Sequence, residues 1–143
     1  MKIVFKYRQE KITEGQIIYR PIAKVTLIGL NDKKITEYMY IDSGADFTLI
    51  PYRLGLYIGL NRNQQNVKEI QGISGSIGVI YHDVTMCIGG MSFPIKIAWA
   101  QIENIPLLLG RTDVFDNFTI TFDQKKRNII FKARKFRKTK IGG

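Results

Sequence analysis

Few residues in this 143-residue chain have side chains that could build a site. The most unusual lie in "MYIDSGADFTLIP", Met39 to Pro51. There Asp42 directly follows an apolar run, Ser43, Gly44 and Ala45 come next, and a second carboxylate, Asp46, precedes another apolar run. A charge at the mouth of an apolar strand must be desolvated, hydrogen-bonded or paired, and it is costly otherwise. Other reactive side chains are scarce. His82 is the only histidine, which argues against a Ser-His-Asp or Cys-His site, and the ligand spacings of zinc sites are absent. Cys87 is the only cysteine, so no intrachain disulfide can form, and between Met86 and Ile88 it reads as core packing. A lone thiol suits a reducing, intracellular setting. The placement of Asp42 is the feature that needs explaining.

The elements that must hold this acid are strands. Val25 and Leu27 alternate with Lys24 and Thr26; Val84, Met86 and Ile88 alternate with Thr85 and Cys87. Ile95, Ile97 and Trp99 share one side of "FPIKIAW", and Ile120 and Phe122 alternate with Thr119, Thr121 and Asp123. Period two means half-buried strands, and Ile129 to Phe131 read as the last of them. Turns are signalled at Asn31-Asp32, at Gly89-Gly90 and at Asp123-Gln124. One short helix is expected in "GRTDVFDNF", with Thr112 or Asp113 as its cap. Trp99 and the scattered Tyr and Phe residues read as core, not as a platform for stacking bases.

Length and composition fit a single soluble domain: 45% of residues are hydrophobic and 24% charged, and no apolar run approaches the roughly 20 residues of a membrane span. The start, "MKIVFKYRQEK", meets charge at Lys6 and Arg8 and has no secretory apolar region. The net charge of +10 is unevenly spread. From Lys125 onward there are 9 Lys or Arg and no acid, which leaves 13 basic against 12 acidic residues before it. The body is nearly neutral and lacks a basic groove; only the basic tail, about 133–143, could bind nucleic acid or an anionic membrane surface. Its bland reading is a solubilising end.

Taken in order, three segments resemble the retropepsin-like aspartic protease family. "YIDSGADFTLI" is similar to the family's active-site turn, Asp–Ser/Thr–Gly–Ala–Asp, after an apolar strand. "IQGISGSIGV", Ile70 to Val79, resembles its glycine-rich flap hairpin, with Gly72, Ile73, Ser74 and Gly75 near the tip. "IPLLLGRTDVFDNF" resembles its late strand, Gly-Arg and short helix. The likeness covers roughly residues 20 to 131. It implies an all-β fold, a small closed barrel with one short C-terminal helix, one lobe per chain, occupying residues 1–143 with a core over about 20–132.

The resemblance also implies a mechanism and a set of site residues. Water held between two carboxylates attacks a peptide bond; the pair shares one proton, so one member accepts while the other donates. Asp42 is the catalytic acid, Ser43 ties its turn to the matching turn of a partner, and Gly44, small and permissive in φ, lets backbone amides face the carboxylate. Substrate would be held by Ala45, Asp46, Phe47, Gly72, Ile73, Ser74 and Gly75, and Asp46 would pair with Arg111 beside the cleft. No metal or cofactor is called for. No other Asp is followed by Ser or Thr and then Gly, so a two-carboxylate site needs Asp42 from two chains. The family's retroviral members meet that need with a symmetric homodimer, often using their termini. The competing reading is a catalytically silent dimerisation or peptide-binding module on the same fold.

Overall fold

The computed structural model describes residues 1–61, 66–72 and 75–134. Ile73 and Ser74, and the tail beyond Arg134, lie outside the described residues. Twelve strands and two short helices follow one another as β1 (Lys2–Lys6), β2 (Arg8–Lys11), β3 (Ile17–Arg20), β4 (Ile22–Ile28), β5 (Lys34–Ile41), β6 (Thr48–Ile50), α1 (Tyr52–Tyr57), β7 (Lys68–Gly72), β8 (Gly75–Ile88), β9 (Met91–Ala100), β10 (Leu108–Leu109), α2 (Val114–Asn117), β11 (Phe118–Asp123) and β12 (Asn128–Ala133).

Six of these strands close a barrel in the order β4-β5-β10-β6-β9-β8, and β4 pairs back onto β8 through Thr26–Cys87, Leu27–Met86 and Ile28–Thr85. Closure leaves the ring without a free edge. The period-two residues behave as expected: Val25, Leu27, Val84, Met86, Ile88, Ile95, Ile97 and Trp99 are all buried. Gly89-Gly90 is a two-residue hairpin turn, with Ile88 paired to Met91 across it. Asp113 caps α2, as the sequence allows; its backbone N–H donates to the Asp116 carboxylate, and its own carboxylate accepts from the Lys96 N–H.

A second sheet, ordered β1-β12-β11, closes the base of the barrel. Phe118, Ile129 and Phe131 point into the core, where Phe118 meets Phe131 and Phe93 edge-on, with ring centroids 5.3 and 5.8 Å apart. Phe5 of β1 packs edge-on against Phe131 at 5.4 Å. The first residues of the chain are thus packed onto the core. Burial in β11 is carried by Phe118, while Phe122 is exposed at the sheet margin.

Two features depart from the sequence reading. Helix α1 has no counterpart in it: the helix begins after Pro51, and Tyr52 stacks on Trp99 at 5.6 Å while its carbonyl accepts the Trp99 indole N–H at 2.9 Å. A tertiary contact holds this helix, for a six-residue segment with a glycine inside is too short to be stable alone. Cys87 is not core packing. Strand parity turns it to the outer face of β8, half-buried, where its sulfur lies 2.9 Å from Ser92 Oγ.

Candidate active site

Strand alternation builds the site. In β5, Met39 and Ile41 are buried in the core, so Tyr40 and then Asp42 point to the opposite face. Strand β8 works the same way. Its even positions, Ile80 to Ile88, serve the barrel interior, while Ile77, Val79 and Tyr81 form a separate apolar cluster with Leu49, Ala98, Ala100 and Leu108. Leu49, Ile77, Tyr81, Ala98 and Leu108 of that cluster line a cleft of about 530 Å³. Asp42 and Gly44 lie at one side of it, and Ile70, Gln71 and Gly72 of the β7–β8 hairpin at the other.

The turn carrying Asp42 is pinned by backbone bonds. Strand β10 lies between β5 and β6, parallel to the first and antiparallel to the second, so the 42–47 turn must loop across its end. The Asp42 N–H donates to the Leu109 carbonyl at 3.0 Å, Arg111 N–H to the Ala45 carbonyl at 2.9 Å, and Thr112 N–H to the Asp46 carbonyl at 2.9 Å. Beneath the turn, the fully buried Thr48 hydroxyl accepts the Gly110 N–H at 3.1 Å. Gly110 itself has no room for a side chain, because a Cβ there would lie 2.3 Å from the Phe47 carbonyl carbon.

Asp42 is half-buried, and its Oδ1 accepts the Gly44 N–H at 2.9 Å. Among the described residues its Oδ2 has no hydrogen-bond partner. Gly44 does not use a left-handed conformation; a Cβ there would press on Oδ1 at 3.2 Å, so the carboxylate would have to shift by a few tenths of an ångström to admit one. Ser43 is exposed at the crest of the turn, and its hydroxyl makes no bond to the described residues. Asp46 and Arg111 form the expected ion pair through Oδ1 and Nη2. Both side chains are well exposed, however, so the pair is not a buried charge seeking a partner.

The expected substrate residues Ala45, Asp46, Phe47 and Gly72 all line the cleft. Gly75 pairs with Gly72 at the hairpin end but is not part of the lining. The structure adds Leu49, Ile77, Tyr81, Ala98 and Leu108, and Phe47 packs on Tyr81 with ring centroids 4.9 Å apart. Their signal in the sequence was the alternation itself, read on the face opposite the core.

A second cavity of about 480 Å³ opens on the other side of Asp42, and it was not visible in the sequence. Asp42, Tyr40, Ile41 and Leu108 line it together with Glu10 and Arg20 from the β2–β3 hairpin. Glu10 is the hub there. Its Oε2 accepts from the Tyr40 hydroxyl at 2.7 Å and from Arg8 Nε at 3.0 Å, and its Oε1 meets Arg20 Nε at 2.9 Å. The Tyr40 hydrogen bond, with Arg8 and Arg20 beside it, holds the Glu10 carboxyl below its ordinary pKa.

Comparison with solved structures identifies the architecture. The chain matches a retropepsin-like aspartic protease from Rickettsia conorii with a TM-score of 0.65 over 92% of this chain and 89% of that one, at 14% identity. It also matches the EIAV protease complexed with the inhibitor HBY-793, with a TM-score of 0.54 over 75% of this chain and 93% of that one, at 21% identity. The fold is retropepsin-like. No protein-family profile and no curated protein sequence matches the chain. The likeness to these structures is one of fold. Among the described residues no cluster of metal-ligating side chains is present, and no helix is long and apolar enough to cross a membrane.

Proposed function

We propose that residues 1–143 form one aspartic endopeptidase domain, active as a homodimer with Asp42 contributed by each chain. One observation supports this above the rest: on a retropepsin-like fold, the chain's single Asp-Ser-Gly turn lines an apolar-walled cleft of about 530 Å³. Two Asp42 carboxylates brought together cannot both ionise, so they hold one proton between them. Oδ1 is occupied by the Gly44 N–H, which leaves Oδ2 to face the reacting water. One Asp42 takes a proton from that water while the other gives one to the scissile carbonyl oxygen. The pair titrates as a unit, with no pKa belonging to either member. The exposed Ser43 hydroxyl would bond to the partner's turn. The β7–β8 hairpin, in which Gly72 pairs with Gly75, would act as the flap over the substrate.

The apolar wall built by Phe47, Ile77 and Tyr81 favours a peptide presenting large hydrophobic side chains near the cut. Peptides carrying a hydroxyl in place of the scissile carbonyl should inhibit as transition-state mimics. Chelators and serine- or cysteine-directed reagents should not.

A mixing experiment tests the reading. Wild-type chain is incubated with a ninefold excess of Asp42→Asn chain, above the dissociation constant and long enough for subunits to exchange. Random pairing leaves about 1% of dimers with both acids, and turnover should fall accordingly. Turnover that simply follows the amount of wild-type chain would mean that one chain suffices, and the dyad reading would fail.

A further inference from the structure

We propose that Glu10 of the β2–β3 hairpin is a positioning residue: it holds Arg20 at the cavity on the far side of Asp42, where Arg20 selects an acidic side chain of the substrate. This rests on the peptidase reading above and deepens it by naming a substrate chemistry.

Asp42 and Leu108 line both cavities, so the two lie on either side of one carboxylate. A peptide cut at Asp42 extends from it in both directions, and one direction is served by the apolar wall of Phe47, Ile77 and Tyr81. The other opens into the cavity of about 480 Å³, where the charged residues beside Asp42 are Glu10 and Arg20. A cavity of that volume is ~10 Å across, the length of about three extended residues at ~3.3 Å each. Side chains that close to the cut are the ones Arg20 can meet.

The hairpin's register shows why Arg20 needs Glu10. Arg8 and Arg20 pair directly across the hairpin, an arrangement of like charges that is unfavourable by itself. Glu10, two residues after Arg8 on the same face, bonds to both: its Oε2 meets Arg8 Nε at 3.0 Å and its Oε1 meets Arg20 Nε at 2.9 Å. Tyr40 completes the clamp. Its hydroxyl donates to Glu10 Oε2 at 2.7 Å, and the two guanidinium groups lie 5.2 and 5.5 Å from its ring centroid. A hairpin of two four-residue strands is marginal alone, so the clamp fixes both the element and the guanidinium.

Charge and vacancy decide the ligand. Two guanidinium groups against one carboxylate leave the cluster with a net positive charge. Both Glu10 oxygens are taken, so a substrate lysine or arginine finds no free acceptor there. Arg20 spends only Nε on Glu10. Among the described residues no other hydrogen bond or ion pair engages it, so Nη1 and Nη2 remain as a fork that matches a carboxylate. The Arg20 side chain is 48% exposed, so water screens the contact and the preference is moderate. The proton-sharing Asp42 pair keeps one negative charge, which opposes an acid next to the cut and favours one further out.

The test uses the full chain and a panel of short peptides with Leu or Phe on both sides of the cut and Glu, Gln or Lys at the second or third position out. We expect a position at which wild type prefers Glu to Gln by about fivefold in kcat/KM and disfavours Lys. That preference should vanish in Arg20→Gln, survive in part in Arg20→Lys, and shrink in Glu10→Gln through a higher KM for the Glu peptide. Each ratio is read within one variant, so a change in stability cancels. Binding of the same peptides to Asp42→Asn and to Asp42→Asn/Arg20→Gln, by fluorescence anisotropy, reads the subsite without hydrolysis. Cleavage with no preference for Glu at any position, or with one that Arg20→Gln keeps, would overturn the subsite and leave the peptidase standing. A wild type that cleaves none of the panel, yet shows an Arg20-dependent preference for Glu in binding, would uphold the subsite and sink the peptidase. A chain that neither cleaves nor binds these peptides would overturn both.

Discussion

Asp42 is flanked by two regions that are held in opposite ways. The 42–47 turn is fixed by its own backbone: amides of Asp42, Arg111 and Thr112 bond to carbonyls across the turn, and the one side chain beneath it is the buried Thr48. The β2–β3 hairpin is fixed by side chains, through Glu10, Tyr40, Arg8, Arg20 and the Tyr19–Arg127 contact. Backbone pinning makes the turn intolerant of added atoms. Side-chain clamping leaves the hairpin graded, adjustable and dependent on the charge of one carboxylate. A turn that must hold one carboxylate in place suits the first kind of support, while the hairpin rests on the second.

If the division is right, changes in the turn should be severe and changes in the hairpin mild. The largest effect should come from Asp42→Asn. The Gly44 N–H keeps an acceptor, so fold and Tm should hold, while peptide turnover should drop by about 10⁴-fold or more as both proton-transfer roles are lost. Retained turnover in purified variant would dispose of the mechanism. Next is Gly110→Ala, whose Cβ would meet the Phe47 carbonyl carbon at 2.3 Å and its oxygen at 2.4 Å. Backbone must shift to admit it, so we expect a loss of about 3 kcal/mol by urea unfolding, together with most of the activity. Thr48→Val should be gentler, leaving the Gly110 N–H without its acceptor at a cost of ~1–3 kcal/mol. A Gly110→Ala chain as stable and active as wild type would show that the turn is not rigidly pinned.

The same division explains what the sequence revealed. The Asp42 turn was legible because its support demands particular residue types at fixed spacing: an acid, small residues beside it, and Gly110 before Arg111 where the strand crosses the turn. The barrel strands were legible because Val25, Leu27, Ile95 and Ile97 alternate toward one core. The N-terminal hairpin was not, since Glu10 and Tyr40 are thirty residues apart and nothing local in either marks the other. Helix α1 escaped for the same reason, as Trp99, which holds it, lies 47 residues after Tyr52. Cys87 was misplaced because its neighbours Met86 and Ile88 are core, while strand parity sends the residue between them outward.

The smallest effect expected is also the sharpest probe of the hairpin. In Glu10→Gln the amide can still accept from the Tyr40 hydroxyl, but the charge that draws Arg8 and Arg20 is gone. The pair members are partly exposed, so the loss should be ~0.5 kcal/mol, a Tm lower by ~2 °C at neutral pH. The Glu10 carboxyl is held below its ordinary value of 4.5 in the folded chain, with the Tyr40 hydrogen bond as the leading cause. A lowered folded value means that the stabilisation is fully present above the unfolded value and fades as the pH falls through the folded one. The Tm difference between wild type and Glu10→Gln should therefore be constant from about pH 7 to pH 5 and shrink below about 4.5. Faster amide exchange should be confined to Arg8–Arg20, while the amides of Asp42, Arg111 and Thr112 stay as protected as in wild type. Loss of protection at those three amides would mean that the hairpin and the turn unfold together, and that the two kinds of support are one.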